Sequence, residues 1–251
     1  MTRAVALAPS LPEVNFSRAL YTLNFDRQWR DARKYLRKAL DANPRMAAVH
    51  AYEGLVHAMD GRASDAVASI DVARELEPLS PFIHYLAAST CNILGRFSDA
   101  EQASRQTLEL QPDSIIGWWP LSVALCGLGR TREGVEAAER AATISRAPWY
   151  VALLAMASGL DGRRDAVDRL LQELHERKSR GEYVSAIGDL EVSLALNDRA
   201  AIRAALHACV LDRCAPLQVA ATCGWWLEQL RSDPDIDDLL NQVYGRAGST
   251  P

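Results

Sequence analysis

Cysteine and histidine side chains are the groups in this sequence that could bind a metal ion or act as nucleophiles. Four of them lie near one another towards the C-terminal end: His207, Cys209, Cys214 and Cys223. Zinc prefers thiolate and imidazole ligands, but its sites use short paired spacings such as Cys-x-x-Cys, which this sequence lacks. We therefore predict no metal site, and we interpret the cysteines as small buried hydrophobic residues.

Motifs of catalytic and nucleotide-binding sites are absent from the sequence. It contains no Gly-x-x-x-x-Gly-Lys-Ser/Thr phosphate loop, no Gly-x-Ser-x-Gly nucleophile elbow and no His-Glu-x-x-His zinc helix. The many carboxylates follow polar helix faces, where solvated charge is the ordinary state. We predict that the protein is not an enzyme and needs no cofactor. A self-contained enzyme or metal-binding helical-repeat protein of unassigned chemistry is the alternative.

Charge and hydrophobicity narrow the classes of partner. The chain has 251 residues and a formal net charge of −4, whereas a protein that binds nucleic-acid phosphates needs a basic face. No apolar run approaches the roughly 18 residues that span a bilayer, and the apolar stretch in the opening MTRAVALAPS is too short for a signal peptide. An odd number of cysteines fits a reducing compartment. We predict a cytoplasmic protein that binds neither nucleic acid nor a membrane.

The sequence contains an internal repeat, which determines how its predicted helices are arranged. Glycines followed by arginine recur at Gly61, Gly95, Gly129 and Gly162, which are 34, 34 and 33 residues apart. Prolines recur with the same period at Pro44, Pro78 and Pro112. A period of this length is the signature of a repeat architecture and takes precedence over any local interpretation.

The sequence pattern of each repeat unit predicts a pair of amphipathic helices. Stretches such as MAAVHAYEGLVHAM and SDAVASIDVAREL carry apolar residues at helical spacing. The glycine between them supplies a left-handed residue that ends the first helix, and the proline stops the second. One hairpin cannot bury both of its faces, so neighbouring pairs must stack. We predict an all-α right-handed superhelix of about six helix pairs with a C-terminal capping helix.

The repeat resembles the tetratricopeptide repeat (TPR) through Gly54, Ala66, Ala73 and Pro78, which stand at that family's offsets. The resemblance covers nearly the whole chain. It implies the following division: the end of a truncated repeat or an N-terminal cap at 1–12, repeats at 13–214, capping helices at 215–245 and a flexible tail at 246–251.

Two stretches are similar to parts of TPR arrays attached to bacterial signalling proteins. They are NFDRQWRDARKYLRKALDANP (24–44) and WWLEQLRSDPDIDDLLNQVYG (225–245). The resemblance implies fusion to class III nucleotide cyclases, winged-helix regulators or Ser/Thr kinases. Because RAVALAPS matches the end of a second helix, we expect an effector domain upstream of Met1. We predict the regulatory or sensory part of a bacterial signalling protein.

The resemblance also implies a binding groove, because first helices of TPR arrays line a concave surface that binds extended or helical peptides. Carried over position by position, it places these side chains in the groove: Tyr21, Asn24, Phe25, Leu55, Met59, Phe82, Tyr85, Ser89, Asn92, Ile116, Trp119 and Val123. The set contains no lysine to clamp a terminal carboxylate. We predict that it binds an apolar peptide or helix of a protein partner. Packing against each other or against a terminal helix is the alternative.

Two local expectations follow from the register of the repeats. Tyr85 and Trp119 stand at the same place in adjacent first helices, one turn after Phe82 and Ile116, so these four side chains should form one patch. Pro120 lies inside a predicted first helix, where proline loses a hydrogen bond and clashes with the preceding turn. We expect that helix to begin late, near Gly117, or to kink.

Overall fold

The computed structural model describes residues 10–25 and 29–244 of the chain. These residues form helices and turns, and no strand occurs among them. The helices are α1 (Pro12–Phe25), α2 (Trp29–Ala42), α3 (Ala47–Met59), α4 (Ala63–Leu76), α5 (Pro81–Ile93), α6 (Phe97–Leu110), α7 (Ile115–Gly127), α8 (Thr131–Ile144), α9 (Pro148–Leu160), α10 (Arg164–Ser179), α11 (Ala186–Ala195), α12 (Arg199–Leu211), α13 (Pro216–Gln229) and α14 (Pro234–Tyr244). The all-α prediction is confirmed. Within the described ranges, no helix combines the length and the apolar character needed to cross a membrane.

Helices α1 to α12 form six consecutive pairs, each joined by a short connection. The repeated glycines lie in the turns inside four of these pairs and have φ angles of 74°, 68°, 75° and 76°. Asn197, with φ of 54°, takes this place between α11 and α12. The prediction that glycine supplies a left-handed residue is therefore confirmed, and the sixth pair reaches the same conformation with asparagine, the other residue that tolerates it.

The arginine after each glycine caps the first helix through its backbone. The Arg62 N–H donates to the His57 carbonyl at 2.9 Å, and the Gly61 N–H donates to Ala58 at 3.0 Å. These two bonds define the Schellman motif. The charged side chain points forward instead, since the Arg62 guanidinium pairs with Asp65 in the first turn of α4 at 2.6 Å. Arg96 and Arg130 pair in the same way with Asp99 and Glu133, whereas Arg163 pairs with Asp161 at the end of α9.

The pairs stack so that their first helices lie on the inner side of the array. From α3 to α11, each first helix packs against the next first helix, whereas consecutive second helices barely touch. Contacts on one side only bend a stack towards that side. The first helices therefore line the concave surface, as the resemblance implied.

Helix α7 begins at Ile115 and continues through Pro120 to Gly127, so the expectation of a start near Gly117 was wrong. Pro120 is the sixth residue of this helix, and the carbonyl that loses its partner there is Ile116, in the first turn. The disturbance is confined to a helix end, where few intrahelical bonds exist to be broken. The carbonyl of Pro120 itself accepts a hydrogen bond from Asn92 Nδ2 of α5 at 3.0 Å.

Helix α14 covers the end of the stack. Its apolar residues Ile236 and Leu240 are fully buried in one cluster with Ile202 and Leu206 of α12. Asp233 precedes the helix and accepts a bond from the Asp235 N–H at 3.2 Å and from Arg203 Nη2 at 2.6 Å. Helix α14 is the predicted capping helix, because it closes an apolar face that a further repeat would otherwise cover.

The turn geometry is tested by Gly95→Ala. A Cβ at Gly95 meets nothing within 4 Å, so the cost comes from its φ of 68° alone. We expect the free energy of unfolding to fall by about 1–2 kcal/mol, the cost of a left-handed L-residue. Urea unfolding followed by circular dichroism measures it. The control is Asn197→Gly, which should leave stability equal or higher. Equal stability of Gly95→Ala and the parent would contradict the need for a left-handed turn.

Candidate functional site

A continuous row of aromatic rings runs along the concave side and joins five first helices. We call it the aromatic row, and its members are Phe16, Tyr52, Phe82, Tyr85, Trp119 and Trp149. The distances between successive ring centroids are 5.5, 6.4, 5.9, 5.9 and 5.6 Å. All fall within the roughly 4.5–7 Å at which aromatic pairs attract each other. The row therefore ties the first helices together and gives the concave surface an aromatic floor.

The aromatic row borders a cavity of about 270 Å³. We call it the aromatic cavity, and its walls are Asn24, Tyr52, Leu55, Tyr85, Leu86, Ser89, Ile116, Trp119, Trp149 and Tyr150. Half of these side chains are aromatic and none is charged. A neutral, mostly apolar wall with a few polar groups is the usual composition of a ligand-binding site.

The structure brings together the four residues of the expected patch. The rings of Tyr85 and Trp119 are 5.9 Å apart, and Phe82 lies 5.9 Å from Tyr85 within the same helix. Ile116 lines the aromatic cavity beside Tyr85 and Trp119. Among the other predicted groove residues, Asn24, Leu55 and Ser89 also line this cavity.

Six predicted groove residues lie outside the cavity wall. One of them, Phe82, belongs to the aromatic row and is 40% exposed. Asn92 is buried where it bonds to the Pro120 carbonyl, and Val123 is buried in the cluster that contains Trp119. Met59 packs against the core between the first two pairs.

Tyr21 and Phe25 contact each other at 5.3 Å and remain 44% and 73% exposed.

Four wall residues were not predicted: Tyr52, Leu86, Trp149 and Tyr150. The repeat period could have identified Tyr150, since it stands 34 residues after Ile116 and thus at the same repeat position. Extending the register by one more repeat identifies it. Tyr52 and Trp149 stand at positions that differ from those of Tyr85 and Trp119, so the register carries no signal for them.

The wall of the aromatic cavity contains three tyrosines and two tryptophans. Burial raises the pKa of the Tyr85 hydroxyl, with a smaller contribution from nearby Tyr52, and burial likewise raises the pKa of Tyr52 and of Tyr150. These hydroxyls therefore stay protonated and neutral at physiological pH. The indole Nε1 of Trp119 has no hydrogen-bond acceptor, although the residue is only 8% exposed. A buried N–H without an acceptor is rare in proteins and costs free energy.

Comparison with known proteins agrees with this geometry. The family model described as tetratricopeptide repeat (TPR_16) matches residues 25–81, which span α2, α3 and α4. Residues 25–81 are tetratricopeptide repeats. Beyond this span, the turns at Gly95, Gly129 and Gly162 repeat the left-handed conformation of Gly61. No curated protein has a sequence that matches the chain.

Several solved structures share the fold of this chain at low sequence identity. A structure from the functional characterisation of Pseudomonas aeruginosa pilF is 15% identical, with a TM-score of 0.56 over 79% of this chain and 90% of that chain. PilW, a widely conserved type IV pilus biogenesis factor, is 16% identical, with a TM-score of 0.58 over 92% and 97%. The Cut9–Hcn1 hetero-tetramer of APC/C is 14% identical, with a TM-score of 0.61 over 96% and 44%. These similarities show a shared fold.

Part of the concave surface is occupied by the chain itself. Helix α13 packs mainly against α5 and also against α11 and α1, all of which are first helices. The ring of Trp225 lies 4.9 Å from that of Phe97, and Trp226 packs against the cluster that contains Trp119. A terminal helix therefore fills one part of the groove, as the alternative interpretation held, and the aromatic cavity is another part.

The cysteines near the C-terminal end are partly grouped. Cys209 and Cys214 are buried, and the Ser185 Oγ lies 3.6 Å from the Cys214 Sγ. Hydrogen bonds from Cys209, Ser185 and a backbone N–H lower the pKa of Cys214 to about 7. His207 is exposed, and the Cys223 side chain lies outside the described residues. In the described part of the chain, no three His, Cys, Asp or Glu side chains converge as metal ligands.

The docking of α13 is tested by Trp226→Ala. This change removes a half-buried ring that joins α13 to the concave surface. We expect faster amide hydrogen exchange throughout α13, with unchanged exchange in α3 and α4 and nearly unchanged helical content. The control is Tyr35→Ala, since Tyr35 is a partly buried ring that packs against the cluster of the first two helix pairs. Unchanged protection of α13 in Trp226→Ala would show that other contacts hold it.

Proposed function

We propose that this chain is a non-catalytic protein-interaction module whose aromatic cavity binds an apolar, extended segment of a partner protein. TPR arrays are protein-interaction modules, and that general role follows from the matched repeats and the shared fold. The aromatic cavity carries the finer proposal. Its wall is neutral and half of its side chains are aromatic, a composition that favours an apolar ligand.

The size of the cavity favours an extended segment over a helix. An α-helix with its side chains is roughly 10–12 Å wide and needs a long, open groove. Helix α13 already lies on the concave surface, across α5 and α11. The aromatic cavity has a volume of about 270 Å³, which suits a few residues of extended chain. Aromatic anchors at the centre of an interface commonly contribute about 2 kcal/mol or more to binding.

The biological setting that we propose is the regulatory part of a bacterial signalling protein in the cytoplasm. The similarity of residues 24–44 and 225–245 to TPR arrays attached to signalling proteins supports this setting, and it also supports a neighbouring effector domain. Cys91 and Cys126 form no disulfide among the described residues, which fits a reducing compartment.

The interaction site is tested by selecting binders from a random peptide library and titrating them into Tyr85→Ala. Removing this ring opens the aromatic row beside the cavity. We expect affinity to fall at least tenfold, the loss of a buried aromatic anchor. Circular dichroism checks the fold. Tyr150→Ala, which removes another ring of the cavity wall, serves as the second variant if Tyr85→Ala unfolds.

Tyr21→Ala is the matched control, because Tyr21 lies on a first helix but outside the cavity wall. It should bind the selected peptides with unchanged affinity. Equal weakening by Tyr21→Ala and Tyr85→Ala would place recognition elsewhere on the array. Stoichiometric metal by elemental analysis, or turnover in cyclase and kinase assays of the purified chain, would favour the enzyme or metal-protein alternative.

A further inference from the structure

Cys209 and Cys214 stand at the two ends of one turn, and the function proposed above uses neither of them. Helix α12 ends in a Schellman motif, in which the Cys214 N–H donates to the Cys209 carbonyl at 3.0 Å and Arg213 has a φ of 52°. This motif commonly brings the side chains of its first and last residues into contact. In the turn after α10, the same two places hold Arg177 and Glu182, whose side chains pair at 2.7 Å.

The two cysteine side chains meet inside the fold. Both are thiols in one apolar cluster, with 1% and 5% of their surface exposed. The Cys209 thiol contributes a hydrogen bond to Cys214, so the two sulfur atoms lie within hydrogen-bonding distance. The backbone bond across the turn also holds the two Cα atoms close, as a disulfide requires. The pair is therefore placed to form a disulfide without rearrangement of the helix end.

The Cys214 sulfur lies at the N-terminus of helix α11, a position that stabilises a thiolate. The pKa of Cys214 is lowered to about 7 by hydrogen bonds from Cys209 and Ser185 and, to a smaller extent, from the Ile187 N–H. Burial and the carboxylate of Asp212 oppose this shift without cancelling it. Cys214 therefore carries a nucleophilic thiolate at neutral pH.

Two other thiols of the chain have the opposite environment. Burial raises the pKa of Cys91 to about 11 and that of Cys126 to about 12. These two fit the interpretation of the cysteines as small hydrophobic residues. Since susceptibility to oxidants follows thiolate character, Cys214 is distinguished from them by its chemistry, and they serve as internal references.

A cavity of about 250 Å³ extends close to Cys214. Ser185 lines this cavity, and the Ser185 Oγ lies 3.6 Å from the Cys214 Sγ. Tyr183, another wall residue, is 71% exposed, so the cavity opens to solvent. No charged side chain lines it. A small neutral oxidant can therefore approach to within one side chain of the sulfur.

We propose that Cys209 and Cys214 form a peroxide-sensitive thiol pair, in which hydrogen peroxide oxidises Cys214 and Cys209 then closes a reversible disulfide. The Cys214 thiolate attacks one oxygen of the peroxide, so that an S–O bond forms, the O–O bond breaks, and hydroxide leaves and is protonated to water. The Cys209 sulfur then attacks the sulfenic acid, so that the S–S bond forms, the S–O bond breaks, and a second water leaves with the Cys209 proton. The two thiols lose two electrons to the peroxide, and a thiol reductant restores them by disulfide exchange.

The test uses the full chain, reduced with dithiothreitol, desalted and treated with hydrogen peroxide for increasing times. The remaining thiols are then blocked with N-ethylmaleimide in denaturant, and mass spectrometry of the digested chain measures each cysteine. We expect Cys214 to be oxidised at least about tenfold faster than Cys91 and Cys126, because it alone of the three carries a large thiolate fraction. Its product should be a disulfide with Cys209 that dithiothreitol reverses. Equal rates for the three cysteines, or no loss of the Cys214 thiol, would overturn the proposal.

Cys223 requires a separate control, because it shares one tryptic peptide with Cys214. Fragmentation of the linked peptides assigns the disulfide to one of the two. The variant Cys223→Ser gives an independent check, since it should form the same disulfide between Cys209 and Cys214. A disulfide that joins Cys214 to Cys223, or loss of the disulfide in Cys223→Ser, would contradict the assignment of the pair.

Two further variants separate the roles of the pair. Cys209→Ser keeps a hydrogen-bond donor beside Cys214 but removes the second thiol, so oxidation should stop at a sulfenic acid on Cys214 that dimedone traps. Cys214→Ser should leave Cys209 unoxidised over the same time. Circular dichroism checks both folds, and the measurement on the parent chain decides the proposal without any substitution if a variant unfolds. Absence of the dimedone adduct in folded Cys209→Ser would show that Cys214 is not the thiol that peroxide attacks.

Discussion

A left-handed backbone conformation in the turns of five helix pairs, from α3–α4 to α11–α12, is the constraint on which the rest of the structure depends. At Gly61 and its counterparts, this conformation lets the last carbonyls of the first helix bond to the two residues that follow. The second helix then lies directly against the first. Because similar turns recur along the stack, the pairs add with a similar orientation and their first helices converge on one side. The concave surface is a consequence of that convergence.

The convergence of the first helices assembles the aromatic row, and it buries polar groups that have few hydrogen-bond partners. The Asn92 Nδ2 donates a hydrogen bond to the Pro120 carbonyl, while the Asn92 Oδ1 has no hydrogen-bond partner among the described residues. Trp119 keeps its indole N–H without any acceptor. A buried donor in this state costs about 1–3 kcal/mol.

The parts of the structure that were predictable from sequence are local and periodic. Glycine spacing identified the turns, and the repeat register placed Tyr85, Ile116 and Trp119 on one wall. The start of α7 at Ile115 was missed, because proline near a helix N-terminus is far less costly than proline in a helix interior. The position of α13 was left open for a different reason. It contacts α5, more than a hundred residues earlier, and this contact depends on curvature summed over several pairs.

Helix α13 and the aromatic cavity share the concave surface, and this arrangement determines whether a helix or an extended segment can bind there. A helical ligand that takes the place of α13 must first expose Trp225 and Trp226, which are both half-buried. A fully buried aromatic side chain removes about 150–250 Å² from water, at roughly 25 cal/mol per Å². Exposing two half-buried indoles therefore costs on the order of 4–6 kcal/mol before any new contact forms. An extended segment that enters the aromatic cavity leaves α13 in place and begins without this cost, so the same surface disfavours helices and favours extended chain.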